Sequence, residues 1–233
     1  MTKLLITSDW HLDATTAGVE RREDLEAAVD RIACVVKEER VDGFAFLGDL
    51  TDPDSPRAWR ALEVALRFAV NLDACEVDQL WLVGNHDVVE DGRGSSTLLP
   101  LRGAGFRVVD TPQSTVLAGV PVVALPFTPR SHAYDPAAFV RDRPPLQATG
   151  APLVISHLCV EGIEPGSESK EFARGREVFL PLEQIAASMP GALVFNGHYH
   201  RRQTFREVNV PGSLARLTRG ERENSPGFLI VEV

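Results

Sequence analysis

Gln79-Leu80-Trp81-Leu82-Val83-Gly84-Asn85-His86-Asp87 runs an unbroken apolar segment straight into an amide, an imidazole and a carboxylate. An apolar run without polar alternation is how a strand buried on both faces reads, and such strands belong to parallel sheets covered by helices. The polar residues then stand at the strand's carboxyl end, where open α/β sheets place their ligands. Taken alone they are also compatible with a polar turn. The decision rests on whether other strand ends carry matching chemistry.

Working outward, the same unit recurs. Lys3 to Thr7 is a short buried strand that delivers Ser8-Asp9-Trp10-His11. Extended geometry puts Asp9 and His11 on one side and turns Trp10 toward the core. Leu25, Ala28, Val29, Ile32, Val35 and Val36 recur at helical spacing over residues 21 to 39. Val41 to Leu47 is the next strand and ends in Gly48-Asp49-Leu50-Thr51-Asp52. Ser55 reads as an N-cap and Pro56 as the first helical residue, ahead of Trp59, Leu62, Leu66 and Ala69 on one face.

Beyond the opening stretch the spacing predicts a short helix over Thr97 to Arg102. Three β-prone runs follow, Phe106 to Val109, Ser114 to Ala118 and Pro121 to Leu125, and read as an antiparallel meander forming or joining a second sheet. Residues 126 to 150 read as surface loop with a short helix near Pro136 to Arg141. Pro152 to Ser156 resumes the buried pattern and ends in His157. After a charged loop, Glu161 to Glu177, the residues Leu182, Ile185, Ala186 and Met189 share a helical face that Pro190-Gly191 stops. Ala192 to Asn196 ends in Gly197-His198-Tyr199-His200, and two closing strands, Gln203 to Val210 and Gly227 to Val233, bracket Pro211-Gly212-Ser213. The pattern is that of one α/β domain over 1–233, without repeat or linker.

Composition narrows the functional classes. No window approaches the roughly 18 apolar residues of a membrane span, and the N-terminus turns acidic too early for a signal peptide, so a cytoplasmic protein is expected. Cys34, Cys75 and Cys159 are too few and too far apart for a disulfide framework or a CxxC zinc site, and read as buried free thiols. A net charge of -9 argues against a broad nucleic-acid surface. It leaves room for a local site whose positive charge comes from bound metal.

Five of the six histidines, His11, His86, His157, His198 and His200, sit at the ends of four of the five apolar strands. Asp9, Asp49 and Asn85 stand beside them. Imidazole, carboxylate and amide oxygen together suit manganese, iron or zinc. The sixth, His132, lies in a Pro-rich loop and reads as a surface residue.

Asp9-x-His11, Gly48-Asp49-x-x-Asp52, Gly84-Asn85-His86-Asp87, His157 and Gly197-His198-x-His200 together resemble the signature of the calcineurin-like metallophosphoesterases. The resemblance implies a four-layer αββα sandwich of two mixed sheets, with a dinuclear metal site at the strand ends and no capping domain in this chain. It implies one ion on Asp9, His11, Asp49 and His200 and a second on Asp49, Asn85, His157 and His198, with Asp49 as the bridge. Phosphoester hydrolysis by a metal-bridging hydroxide would follow. The resemblance leaves His86 outside the ligand set, placed to stabilise the phosphoryl group or protonate the leaving oxygen, with Asp87 orienting its ring and Asp52 orienting a metal ligand.

Within that family, Thr7 to Leu12, His157-x-x-Val160-x-Gly162 with Ser167-Glu168, His200-x-x-Gln203 and Pro211-Gly212-Ser213 through Arg216 to Glu221 resemble the SbcD-type DNA nucleases. That branch implies manganese as the favoured ion, with iron, zinc or nickel as alternatives, and DNA as the partner. It also implies an SbcC-like ATPase partner, although the usual docking segment is absent, and a homodimer face formed by the Trp59 to Asn71 helix and the segment after Asp91. The competing readings are a small-molecule phosphodiesterase or phosphatase acting on cyclic nucleotides or related esters, and a binding scaffold that has lost activity. Tyr199 either stacks on a base or packs beside the site. Arg174, Arg176, Arg201 and Arg202 are either phosphate contacts or a solvated face.

Overall fold

The computed structural model describes residues 1–51, 55–89, 95–128, 134–143, 150–164 and 178–233. Along the chain these form β1 (Lys3–Thr7), β2 (Thr15–Thr16), β3 (Val19–Glu20), α1 (Arg22–Glu39), β4 (Gly43–Phe46), α2 (Ala58–Asp73), β5 (Asp78–Leu82), α3 (Leu99–Gly103) and β6 (Val108–Val109). Then come β7 (Gln113–Leu117), β8 (Val120–Leu125), α4 (Pro136–Asp142), β9 (Leu153–Ser156), α5 (Leu182–Ser188), β10 (Leu193–Asn196), β11 (Gln203–Phe205), β12 (Val208–Val210) and β13 (Leu229–Glu232).

Two sheets carry the fold. The first runs β13-β1-β4-β5-β6 and the second β11-β12-β10-β9-β8-β7. β1, β4, β5 and β6 are parallel, as are β8, β9, β10 and β12. The outer strands β13, β7 and β11 pair antiparallel, so both sheets are mixed. The parallel strands end on the same side and deliver their loops together.

Side-chain alternation turns the apolar runs into three core layers. Leu4 and Ile6 of β1, Ala45 and Leu47 at β4, and Leu80 and Leu82 of β5 meet Val122, Ala124, Leu153, Ile155 and Phe195 of the second sheet between the sheets. The intervening residues Leu5, Phe44, Phe46 and Trp81 face outward onto α1 and α2. Val123, Leu125, Val154 and Val194 do the same on the other side, toward α4 and α5. Two mixed sheets flanked by helices result, the sandwich that the sequence implies. Trp10 faces the core as expected and packs edge-on to Phe46, Phe68 and Trp81 at centroid distances of 5.0, 5.3 and 5.9 Å.

Several local expectations change. The run ending at Val109 pairs in parallel with β5 and belongs to the first sheet, so only β7 and β8 form the antiparallel pair of the anticipated meander. Gln203 to Val210 is a hairpin, because Arg206 takes a left-handed φ of 52° and reverses the chain. Ser55 does not cap α2. It closes the preceding turn, its Oγ accepting from Arg57 N at 3.2 Å, and the helix begins after Arg57. α2 buries Ala61, Ala65, Phe68 and Leu72 and leaves Trp59 61% exposed. Cys159 is buried, but Cys34 and Cys75 are exposed; none of the three is in a disulfide.

Candidate metal centre

The side chains singled out at the ends of β1, β4, β5, β9 and β10 converge as two groups. Ligating atoms of Asp9, His11 and His200 lie within 4.8 Å of one another, and so do those of Asp49, His157 and His198. Asp49 stands between them, with Oδ2 3.2 Å from His157 Nε2 and 3.9 Å from His11 Nε2. Asn85 Oδ1 lies 3.0 Å from His157 Nε2 and 2.8 Å from His198 Nδ1. His86 is half-buried, its ring edge-on to His11 at 4.9 Å.

The backbone that presents these groups is not extended. Asp9, His11, Asp49 and His198 have φ values of 53°, 41°, 62° and 76°, in the left-handed region that costs a non-glycine residue roughly 1–3 kcal/mol. The loops are clamped by main-chain bonds: Asp9 N donates to Gly48 O at 2.9 Å, and Trp10 N and His11 N both donate to Asp49 O at 2.9 and 3.1 Å. Two glycines permit the close approach. A Cβ on Gly48 would come within 2.5 Å of His157 Nδ1, and one on Gly84 within 2.5 Å of Asp49 N.

Asp87 has a different role from the one expected. Instead of orienting the His86 ring, its buried carboxylate accepts from Asp49 N, Leu50 N and Gly84 N at 2.8, 2.8 and 2.9 Å, and from Thr97 Oγ1 at 3.3 Å. It ties the β4 and β5 loops together. Burial, with the charge of Asp49 added, raises its pKa despite those donors.

The electrostatics draw positive charge into the centre. Leu47 O can only accept, so at 2.6 Å it fixes the proton on His157 Nδ1 and leaves Nε2 facing Asp49 Oδ2 and Asn85 Oδ1. Burial alone would lower the His157 pKa, yet the charges of Asp49 and Asp9 and the Leu47 bond raise it to about 9. Burial would likewise raise Asp49, but the facing histidines His157, His86 and His11 hold it well below the usual carboxylate range. His198 is pushed down to about 3 by burial and by the charge of His157. Burial raises Asp9, and both of its buried oxygens lack a hydrogen bond. A carboxylate stripped of water and of donors is costly unless a cation meets it. These residues fit divalent metal.

Glu221 is the group that sequence reasoning did not assign. Fully buried, it places Oε1 3.1 Å from His200 Nδ1, while Oε2 accepts from Leu217 N at 2.8 Å. A carboxylate behind a ligating imidazole sets its tautomer and raises its basicity. Tyr199 is packed, 3% exposed, with its hydroxyl oxygen accepting from Val160 N at 2.8 Å, so it offers no face to a base. Arg201 pairs with Glu164 at 2.7 Å, and Arg202 donates to the carbonyls of Pro211 and Phe228 at 3.2 and 2.6 Å. Asp52, His132, Ser167, Glu168, Arg174 and Arg176 lie outside the described residues.

Fold and site together describe a metal-dependent hydrolase of phosphoesters, and the family model for calcineurin-like phosphoesterases matches residues 2–202. The chain belongs to that family. It is 23% identical over 233 residues to the SbcD component of the nuclease SbcCD of Bacillus subtilis, covering 89% of this chain and 59% of that protein. It is 33% identical over 87 residues to the Escherichia coli K12 protein of the same name, covering 37% of this chain and 22% of that one. The chain thus spans less than two thirds of the length of these curated relatives. Solved structures share the fold: a dimetal phosphatase of Danio rerio (TM-score 0.57, 15% identity, 98% of this chain and 91% of that one) and a purple acid phosphatase from yellow lupin seeds (TM-score 0.55, 13% identity, 88% and 39%). Among the described residues, no helix is long and apolar enough to cross a membrane.

Proposed function

We propose that the chain cleaves phosphodiester bonds in DNA at a dinuclear centre, with Asp9, His11, Asp49 and His200 holding one ion and Asp49, Asn85, His157 and His198 the other. The observation that carries the dinuclear reading is Asp49 Oδ2, placed between His157 Nε2 and His11 Nε2. Ions held by these residues would supply an activated water and would neutralise charge on the phosphoryl oxygens. The chain's own residues do the rest. Leu47 O and Glu221 fix the tautomers of His157 and His200, Asp87 holds the loops in register, and the His86 ring protonates the leaving oxygen.

The nuclease reading is supported by likeness to the Bacillus subtilis SbcD component along 89% of the chain. It brings with it manganese as the native ion, a cytoplasmic setting, an ATPase partner and a second copy of the chain docked on α2, where Trp59 and Val70 are exposed. One observation favours the alternative, a small phosphodiester or cyclic nucleotide as substrate. The chain carries a net charge of -9, and Arg201 and Arg202 beside the last histidine pair are already engaged with Glu164 and main-chain carbonyls. Manganese-dependent cleavage of single- and double-stranded DNA, set against hydrolysis of bis-p-nitrophenyl phosphate and cyclic nucleotides, decides between them. Turnover of the small esters with none of DNA would overturn the nuclease reading.

A further inference from the structure

We propose that Phe179 is a stacking platform for a nucleobase of the strand whose phosphate occupies the metal centre. The proposal rests on the nuclease reading and adds to it a base-binding subsite.

The geometry begins just beyond His157, after the end of β9. Leu158 and Val160 are buried in the outer core of the second sheet, and Val178 and Leu180, from the far side of the charged loop, pack into the same cluster. Between the two segments Cys159 N donates to Val178 O at 3.0 Å and Leu180 N donates to Cys159 O at 2.8 Å. That is the bonding of a parallel bridge, and it pairs Cys159 with Phe179. Alternation sends Leu158, Val160, Val178 and Leu180 to the core, so Cys159 and Phe179 share the opposite face. That face adjoins the metal centre, because Cys159 Sγ lies 3.7 Å from Nε2 of His198, whose Nδ1 meets Asn85 Oδ1 at 2.8 Å. Paired strands are spaced about 4.8 Å apart. The Phe179 backbone therefore lies one strand spacing from that of Cys159, whose thiol touches His198.

Single exposed apolar residues are ordinary on protein surfaces, so position carries the argument. Phe179 is 53% exposed between a half-buried Val178 and a buried Leu180, and its bridge partner Cys159 contacts His198. Every base has a π-face, and stacking on an aromatic side chain binds single strands without sequence preference and without added positive charge. This suits an acidic chain in which Arg201 and Arg202, next to the last histidine pair, are engaged elsewhere. Tyr199 is buried and cannot serve.

The test uses the full chain with manganese, comparing the parent, Phe179→Ala and Phe179→Trp on a single-stranded oligonucleotide and on the same strand made of abasic sugar-phosphate units. The expected result is a KM roughly tenfold higher for Phe179→Ala on the base-bearing strand, recovered in Phe179→Trp, with the three proteins alike on the abasic strand. An unchanged KM on the base-bearing strand overturns the platform. So does an equal loss on both strands, which would mark a structural effect. If the parent hydrolyses bis-p-nitrophenyl phosphate but cleaves neither strand, the nuclease reading itself has failed, and the subsite falls with it.

Discussion

Glu221 Oε1 lies 3.1 Å from His200 Nδ1, and both residues are buried. The carboxylate accepts the Nδ1 proton, which leaves His200 Nε2 as the lone pair facing Asp9, 3.9 Å from its Oδ1. Glu221→Gln keeps the shape but removes the charge that makes the imidazole a better ligand. Affinity at the Asp9–His11–His200 cluster is expected to fall by about 10- to 100-fold. Calorimetric titration of the chelator-treated protein with manganese reads this as a weakening of one of two binding events; two unaltered events would reduce Glu221 to a packing role.

His86 combines a main-chain and a side-chain task that a single substitution separates. Its backbone N donates to Asp49 Oδ1 at 2.9 Å, whereas its ring faces the centre beside His11. His86→Ala keeps the first and removes the second. Metal content should stay at the parental level while kcat falls by about 10²- to 10⁴-fold, the range for loss of a general acid. Metal analysis alongside steady-state kinetics checks it, and a variant that loses its ions would show the ring to be a ligand.

The pattern of this centre was written into the chain more plainly than its fine geometry. Strands buried on both faces must be apolar throughout, so Leu4 to Ile6, Phe44 to Leu47, Leu80 to Val83, Leu153 to Ile155 and Leu193 to Phe195 announce themselves, and the polar residues after each are conspicuous by contrast. Other features had no such contrast. Thr15 to Glu20 is a short exposed hairpin, and two-residue β6 takes its partner from tertiary packing rather than from its own sequence. The left-handed φ at Asp9, His11, Asp49 and His198 is imposed by the surrounding loops, since nothing about those residue types demands it. Glu221 sits in the charged run Arg219-Gly220-Glu221-Arg222-Glu223, which reads as solvent-exposed, and its partner is 21 residues away. The available signal was its place at the end of the Arg216 to Glu221 stretch that resembles the SbcD branch, downstream of the last histidine motif.

His157 gives the centre a pH signature that metal should erase. Its pKa is raised to about 9 from an ordinary 6.5, so the folded chain holds that proton more tightly than the unfolded one. The resulting stabilisation is complete below pH 6.5 and is lost as pH rises through 9. Chelator-treated protein should therefore melt at a lower temperature above pH 9 than at pH 6.5, and His157→Asn should flatten that fall. With manganese present the ion competes for Nε2, so the fall should shrink. Melting curves at the two pH values, with and without manganese, check both the sign and the metal effect; a chelated protein whose melting temperature rises with pH would contradict it.

The central claim is that Asp49 joins two metal positions into one phosphoesterase centre. The most direct test adds manganese stepwise to the chelated chain while bound metal and hydrolysis of bis-p-nitrophenyl phosphate are followed together, in the parent and in Asp49→Ala. The account predicts two ions per parental chain, activity that appears only as the second is bound, and an Asp49→Ala chain that fails to fill the pair and stays inactive. Full activity with one ion, or an Asp49→Ala protein that retains both ions and normal turnover, would contradict it.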